Sequence, residues 1–554
     1  MSILQHSIKE GTEAGFKGLA LFVITLLYAG IASAGPWMNS NTLLAKAQPD
    51  ECYAGIGVPY PELIPTTPPS CPAGSEPKVN QVYAWGTTEE EGAVWVGTGA
   101  NVHCGTLADF VDGFGFISTY YGMSVYPLET ENNVCEFDQS QSALLNPAIG
   151  NLGDARPPKV WQYDIAGGTL TDRTPDGTNS AGFDPNIELV KGMRSAGSHN
   201  GVVFMAGGSL TGSVIAFAWD AIDGTYLGSQ VFSGYKTIRK WAEINGKYYT
   251  AVQKRGSGRI VKWTGSYDHD THNASKLWEF MEVGKIDGSP RELTEYIDNN
   301  GKSRIAVNSG GGLFISPIVP MATGLKFWHK WGWKKVWDPE LDYEPSALAL
   351  LTYGAGGVEY FDGWLFFSTV QVSPGLTVIA EPGSLAEELI DPLWRATSIW
   401  RAKDLETSAP VIELLYGEEM LMAPNAEKEW VLTPNVGGYI PKHGSSGFGN
   451  TYNNYAWVMA KIEGHLLVAT LDNSSYSSPD APSINGYGGD LWSFSSADAP
   501  AVLEDGTGLG NPLNYGIRTL FRSDDGTKLY AGTAMADNLG EDAGWELREL
   551  SSVP

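Results

Sequence analysis

The sequence has 554 residues, with 67 glycines, 32 prolines and 11% aromatic residues, a composition that is typical of a turn-rich β protein rather than a helical one. The formal net charge of -27 would repel a phosphate backbone, and the densest run of lysines, residues 326–335, is interrupted by tryptophans. Nucleic-acid binding is therefore excluded as the main function.

The N-terminus has the pattern of a secretory signal peptide over residues 1–34. Lys9 and Lys17 precede an apolar run from Leu19 to Ile31, and a small-residue stretch that ends at Ala34 provides the cleavage point. The run is short for a membrane span, although an uncleaved anchor is the alternative. No second apolar stretch is long enough to cross a bilayer. We therefore expect an exported protein that is secreted, periplasmic or attached to the cell surface.

The four cysteines lie between Cys52 and Cys135, and none forms a CxxC pair. In an oxidising compartment the simplest pairing joins Cys52 to Cys71 and Cys104 to Cys135. A zinc site is less favoured, because structural zinc ligands usually come in closely spaced pairs. The first bridge lies in an N-terminal segment, residues 35–80, that we distinguish from the main domain, residues 81–554.

One short pattern occurs seven times along the main domain: a turn that ends in glycine, followed by an apolar strand. Asparagine or aspartate before the glycine, as in Asn200-Gly201 and Asp525-Gly526, is typical of a tight hairpin turn. A first strand precedes each copy, and a third strand, often aromatic, follows it. The turn glycines are Gly92, Gly201, Gly246, Gly301, Gly363, Gly464 and Gly526.

The same order of three strands is repeated around each of the seven turn glycines. This repeat predicts an all-β fold, a seven-bladed β-propeller. A pair of β-sandwiches or a β-helix would explain the strands and turns but not this repeated order. Long insertions are expected at about residues 101–157 and 373–445, where successive turn glycines are far apart. The last repeat ends close to the C-terminus, so the N-terminal segment is expected to supply its outer strand and close the ring.

Several stretches resemble a known protein family: RPPKVWQYD, GMRSAG, FAWDAIDGTYLGS, TIRKW, and the closing NPLNYGIRTL, LYAGTA and GWELREL. Over about residues 80 to 550 the chain is similar to a family of secreted bacterial propeller-like proteins with no established activity. The resemblance implies a propeller fold and export. It implies no catalytic residue.

Three first strands carry an arginine at matching positions. Arg194 and Arg239 lie seven residues before their turn glycines and Arg518 lies eight before, with Arg291 as a looser fourth. If the first strands line a central channel, these side chains bring positive charge to the axis and favour a carboxylate or a sulfated sugar. The alternative is that each arginine forms an ion pair between neighbouring blades, with a carboxylate such as Glu292.

The densest aromatic patch lies at residues 327–337. If exposed, Trp331 and Trp333 would stack on sugar faces or contact a partner protein. If buried, the rings of this patch would fill the gap between the fourth and fifth blades. Both tryptophans are therefore candidate ligand-binding residues.

Two stretches contain metal-ligand residue types without a recognised spacing. Residues 268–272 (DHDTH) are best interpreted as a solvated polar loop. Residues 220–224 (DAIDG) are similar to part of a calcium loop but lack the downstream glutamate. We predict no metal site and no cofactor, with calcium binding on the acidic surface as an open alternative.

No nucleophile and base stand out, and the carboxylates are too numerous to select a catalytic pair. The sequence therefore predicts a non-catalytic binding protein of the cell surface or periplasm, with a glycan or protein ligand at the channel mouth. Two alternatives stay open: a carbohydrate-active hydrolase or lyase, and a structural component of the envelope.

Overall fold

The computed structural model describes residues 36–106, 128–147, 154–372, 385–477 and 483–553. The predicted signal peptide, residues 1–34, lies outside the described residues, as does part of each predicted insertion. The described chain is mainly β-strand. Its short helices and helical turns include Phe137–Gln139, Gln141–Leu145, Pro185–Glu188, Phe327–Trp331, Pro339–Asp342, Ala347–Leu350, Leu385–Leu393, Ser446–Gly449 and Ser474–Ser477.

Most strands form antiparallel groups of four, which we number in chain order. The N-terminal segment contributes β1 (Ser40–Lys46), β2 (Glu51–Tyr53) and β3 (Glu76–Lys78). Group 1 begins with β4 (Gln81–Glu90) and β5 (Ala93–Ala100) and, after a small hairpin of β6 (Leu128–Glu129) and β7 (Val134–Cys135), ends with β8 (Val160–Asp164) and β9 (Thr169–Asp172). Group 2 consists of β10 (Ser195–His199), β11 (Val202–Gly208), β12 (Val214–Asp220) and β13 (Tyr226–Phe232).

Groups 3 and 4 follow the same order. Group 3 has β14 (Ile238–Ile244), β15 (Lys247–Lys254) and β16 (Ser257–Trp263), then an inserted hairpin of β17 (Ser266–Asp268) and β18 (Asn273–Lys276), then β19 (Phe280–Ile286). Group 4 has β20 (Pro290–Ile297), β21 (Ser303–Ser309), β22 (Gly312–Ile315) and β23 (Lys334–Trp337).

The last groups complete the described chain. Group 5 has β24 (Tyr353–Phe361), β25 (Trp364–Gln371), β26 (Ile399–Lys403) and β27 (Val411–Tyr416), followed by a hairpin of β28 (Met420–Pro424) and β29 (Trp430–Pro434). Group 6 has β30 (Asn453–Ile462), β31 (His465–Asp472), β32 (Leu491–Phe494) and β33 (Val502–Asp505). Group 7 has β34 (Gly516–Arg522), β35 (Leu529–Ala534), β36 (Glu546–Ser551) and, from the N-terminal segment, β1.

The predicted hairpin between the first and second strands is present in each group. Asn200 and Gly201 show why the turn sequences recur, since both have positive φ, at 53° and 72°. Two consecutive positive-φ residues make the tight turn whose twist matches that of a hairpin.

The two ends of the chain meet in group 7. Strand β1 pairs antiparallel with β36, from Ser40 opposite Ser551 to Lys46 opposite Glu546. Leu547 and Leu550 of β36 are fully buried, so the pairing lies over a packed core.

The first strands of the groups contact one another in a closed cycle, from β4 through β10, β14, β20, β24 and β30 to β34 and back to β4. Large apolar side chains fill the space between adjacent groups. Trp95 of group 1 and Trp219 of group 2, for example, are fully buried, and their ring centroids lie 5.9 Å apart. Phe204 of group 2 stacks on Trp241 of group 3 with 5.4 Å between ring centroids. Each sheet therefore buries its faces against its neighbours, as the repeat pattern requires.

Both predicted disulfides are present, Cys52 with Cys71 and Cys104 with Cys135, and this prediction is confirmed. Two disulfides are consistent with an extracytoplasmic protein. Among the described residues we find no helix with the length and apolar character of a membrane span.

Candidate functional site

β-Bulges interrupt the first strand of six of the seven described groups. The ladder between first and second strands shifts register there in β4, β14, β20, β24, β30 and β34. A bulge leaves the extra residue unpaired and changes the direction of its side chain. The residues within these shifts are Val82, Trp85, Arg239, Lys240, Arg291, Gly356, Gly357, Asn454, Trp457 and Arg518.

Residues from all seven groups line one cavity of about 230 Å³, which we call the central cavity. The side chains of Arg194, Arg239, Arg291 and Arg518 are among its lining residues, together with Glu292. A second cavity, of about 260 Å³, shares three of these arginines and Glu292 and extends along the other half of the first strands. The predicted arginines therefore come together near the axis, although their role in binding stays a prediction.

Burial disfavours the charged form of Arg239, Arg291 and Arg518. Arg239 is 5% exposed, and its pKa is lowered well below the usual arginine value by burial and by the charges of Arg194, Arg291 and Arg518, against a smaller opposing effect of Glu292. Burial also lowers the pKa of Arg291 and Arg518. An anion in the central cavity would relieve this repulsion.

The predicted alternative, an ion pair between neighbouring groups, is not found for three of the four. Among the described residues, no carboxylate oxygen lies within 4.0 Å of a guanidinium nitrogen of Arg239, Arg291 or Arg518. Glu292 instead lies 3.4 Å from the ammonium of Lys240. Among the described lining residues of the central cavity, arginines therefore outnumber carboxylates.

Two tryptophans hold neighbouring arginines in place. The guanidinium carbon of Arg194 lies 5.0 Å from the Trp85 ring centroid, and that of Arg518 lies 5.2 Å from the Trp457 ring centroid. Such cation–π contacts stabilise a cation without neutralising it.

Groups 5 and 6 contribute no arginine to the central cavity. Gly356 occupies the bulge of group 5, where a Cβ atom would lie 2.3 Å from the Ala456 carbonyl oxygen, so no side chain enters the cavity from this position. Gln371 and Asn454 are 2% and 1% exposed, and the side-chain oxygen of each accepts no hydrogen bond among the described residues. Unsatisfied buried acceptors at a cavity wall can receive hydroxyl or amide donors from a ligand.

Aromatic rings and one histidine complete the wall. Tyr83 lies 6.2 Å from Trp457 and 6.1 Å from Tyr515, measured between ring centroids. Burial raises the pKa of Tyr455 to about 12 and lowers that of His103 to about 4. Both side chains are therefore neutral at pH 7.

The two predicted tryptophans are not among the residues that line the central cavity. Trp331 is 68% exposed on the outer surface. Trp333 is half-buried, its indole N–H donates to the Val283 carbonyl at 3.1 Å, and its ring covers Gly284 of β19. The expected position of the patch, between the fourth and fifth repeats, is correct for Trp337, which is buried against Phe367 and Trp400 of group 5. Trp333 lies elsewhere: because it precedes the outer strand of group 4, its ring lies against β19, the outer strand of group 3.

Trp85, Gly356 and Trp457 are not among the predicted site residues, although their positions in the sequence carried a signal. Each lies seven residues before its turn glycine, as Arg194 and Arg239 do. The spacing of seven residues before the turn glycine therefore marks equivalent positions in the repeats. Only the arginines at such positions were predicted as site residues, so the two tryptophans and the glycine were left out. Gln371 and Asn454 had no such signal, because their significance depends on missing hydrogen bonds.

No protein-family model and no curated protein sequence matches the chain. Among solved structures, the WD40 repeats of RRP9 are similar at 11% identity and a TM-score of 0.32, over 71% of this chain and 88% of that one. BamB from Moraxella catarrhalis is similar at 10% identity and a TM-score of 0.28, over 64% and 83%. An α-L-arabinofuranosidase from Podospora anserina is similar at 8% identity and a TM-score of 0.30, over 57% and 91%. These structures are of the β-propeller type.

Proposed function

We propose that the chain is an exported, seven-bladed β-propeller that binds an anionic ligand, an acidic glycan unit, in its central cavity without transforming it. The observation that carries this proposal is the convergence of four arginines on a cavity whose described wall contains one carboxylate, Glu292.

The fold part of the proposal treats groups 1 to 7 as blades and β1 as the strand that closes the ring. It is supported by the closed cycle of contacts among first strands and by the pairing of β1 with β36. Export is supported by the two disulfides and by the signal-peptide pattern. A crystal structure of residues 35–554 tests the arrangement, and six or eight blades, or an unpaired β1, would contradict it.

The anionic character of the ligand follows from electrostatics. Arg239, Arg291 and Arg518 are desolvated, and the described residues provide them with no paired carboxylate. A guanidinium group binds carboxylate and sulfate oxygens through two parallel hydrogen bonds, and such charge-assisted bonds are the strong ones.

The sugar character follows from the opposite wall. Gln371 and Asn454 present free acceptors, and the rings of Tyr455 and Trp457 present apolar surface, all in the same cavity. Hydroxyl groups beside an apolar ring face are characteristic of carbohydrates. The cavity, at about 230 Å³, is small and suits a single acidic residue rather than a long chain.

A binding protein is favoured over a glycoside hydrolase by the number of carboxylates. Glycoside hydrolysis generally uses two carboxyl groups on opposite sides of the scissile bond. In the described wall of the central cavity Glu292 is the single carboxylate, and it lies 3.4 Å from Lys240.

Isothermal titration calorimetry tests the function. Trigalacturonic acid and a sulfated trisaccharide are expected to bind, whereas neutral cellotriose is not. Arg518→Gln is expected to weaken binding by about 10- to 100-fold, because it removes one charge-assisted pair. Arg522→Gln, on the same strand but exposed and outside the cavity wall, is the matched control and should bind as the wild type does.

Two outcomes would contradict the proposal. One is the absence of binding by every acidic oligosaccharide in the wild-type protein. The other is equal affinity in the Arg518→Gln and Arg522→Gln variants. Release of reducing ends from any of these glycans would favour the hydrolase alternative.

A further inference from the structure

Two chain segments that are distant in sequence meet on the outer part of the molecule. Asp220 is the last residue of β12 in group 2, and residues 221–224 form the turn that follows. His269 and His272 lie in the turn between β17 and β18, the hairpin inserted into group 3. The hairpin therefore contacts the neighbouring group through these side chains.

The side chains form a compact cluster of metal-ligand types. One potential ligand atom from each of Asp220, His269 and His272 lies within 4.8 Å of the other two. Asp220 Oδ2 contacts His269 Nδ1 directly and lies 3.6 Å from His272 Nδ1. Ligands at 2.0–2.1 Å from a tetrahedral zinc ion lie roughly 3.4 Å apart, so only small movements are needed to place an ion between them.

The carboxylate is fixed before any ion arrives. Asp220 is fully buried, its Oδ1 accepts the Ile222 backbone N–H at 2.8 Å, and its Oδ2 accepts the Tyr267 hydroxyl at 2.5 Å. The imidazoles of His269 and His272 are 37% and 45% exposed and so remain accessible to solvent, and His272 Nδ1 lies 3.0 Å from the Tyr267 hydroxyl. A rigid acid with two accessible imidazoles is a suitable arrangement for capturing an ion from solution.

The second nitrogen of His272 also has a suitable neighbour. Its Nε2 lies 3.6 Å from Asp223 Oδ2, on the opposite side of the ring from Asp220. A carboxylate that accepts from the distal nitrogen of a ligating histidine orients the ring and strengthens its bond to the metal. Asp268 and Asp270 are exposed nearby in the chain and add negative charge that attracts a cation.

We propose that Asp220, His269 and His272 bind a divalent transition-metal ion, with Zn²⁺ as the best match and solvent completing the coordination. Two imidazoles and one carboxylate are a donor set for zinc and its neighbours, whereas calcium requires six to eight oxygen ligands. The bound ion replaces the direct contact between Asp220 and His269. By joining the turn of group 2 to the hairpin of group 3, the ion stabilises the packing of these two groups.

The experiment uses the full chain after signal removal, dialysed against a chelator and then titrated with ZnCl₂. Calorimetry is expected to show one zinc ion per chain, and thermal denaturation is expected to show a higher Tm with zinc and no change with CaCl₂. His272→Ala, at an exposed side chain, is expected to fold and to bind zinc at least tenfold more weakly. The double substitution of His269 and His272 by alanine is expected to abolish the zinc-dependent rise in Tm.

The matched control is His465→Ala, since the chain has only 8 histidines and His465 lies in group 6, outside the cluster. Its zinc affinity should equal that of the wild type. Cobalt(II) provides an independent readout, because visible d–d absorption is expected in the wild type and not in the double variant. The proposal is overturned if the wild type binds no zinc, or if His272→Ala and His465→Ala bind it equally well.

Discussion

The wall of the central cavity has two contrasting parts. The arginine sector, from groups 7, 2, 3 and 4, carries Arg518, Arg194, Arg239 and Arg291, with Tyr83 and Trp85 of group 1 beside them. The neutral sector, from groups 5 and 6, carries Gly356 at the equivalent bulge and, beside it, uncharged polar, aromatic and aliphatic side chains. The same backbone device, a bulge in the first strand, therefore serves opposite purposes on the two sides.

The difference teaches that a repeated backbone does not impose a repeated chemistry. If every group placed an arginine in the cavity, repulsion in a desolvated cavity of about 230 Å³ would be severe. Confining the charge to one sector leaves the other for hydrogen-bond acceptors and rings. A ligand with an anionic end and a hydroxylated body matches this division.

Trp457→Ala should give the largest effect, because this ring connects the sectors. It contacts Tyr455, Tyr515 and the guanidinium of Arg518. Removing a large, mostly buried aromatic ring is expected to reduce the free energy of unfolding by about 3 kcal/mol. Urea denaturation measures this loss, and a change below 1 kcal/mol would show that the ring does not organise the cavity.

Arg239→Gln separates a binding role from a structural one. A buried cation whose pKa is depressed by three other arginines is costly in the unliganded protein, so its removal is expected to raise Tm slightly. The same change is expected to weaken trigalacturonate binding by about 2.5 kcal/mol. If Arg239 were instead an ion-pair tie between groups, Tm would fall, and thermal denaturation distinguishes the two signs.

His103 should make stability pH-dependent. Burial lowers its pKa from 6.5 in the unfolded chain to about 4, so between these values the unfolded state binds more protons and the free energy of unfolding falls as the pH falls. This contribution is complete above pH 6.5, and about 2 kcal/mol of it is expected to be lost by about pH 5. His103→Gln should reduce the dependence measured by urea denaturation at pH 4 to 7, and an unchanged slope would contradict the assignment.

Gln371→Leu probes the neutral sector and should have the smallest effect. It removes a buried, unsatisfied acceptor while preserving side-chain size, so the free energy of unfolding is expected to rise by about 1 kcal/mol or less. Trigalacturonate, which has hydroxyl donors, should bind about fivefold more weakly, whereas inorganic sulfate should bind as before. Equal weakening of both ligands would remove the distinction between the sectors.

The hairpins, the two disulfides and the convergence of the arginines were predictable for the same reason. Each depends on spacing along the chain, such as the seven residues between Arg194 and Gly201, which a regular hairpin converts into a fixed position in space. The position of Trp333 was not predictable in this way. It lies in an irregular segment between β22 and β23, where no repeat determines which neighbour the ring contacts.

The cluster of Asp220, His269 and His272 marks the limit of sequence reasoning most clearly. The sequence presents an acidic turn and a histidine-containing loop that are separately unremarkable, 49 residues apart from Asp220 to His269. Their contact arises because adjacent groups pack side by side, which depends on the arrangement of whole sheets.

By itself the sequence determined the all-β character, the recurrent hairpins, the cysteine pairing and the position of the arginines within each repeat, because local periodicity and turn chemistry are encoded over a few residues. Only the tertiary structure decided which side chains share a cavity, which acceptors are left without donors, and which loops of neighbouring groups meet. These properties depend on desolvation and on contacts between distant segments, and they arise when the sheets pack around the axis.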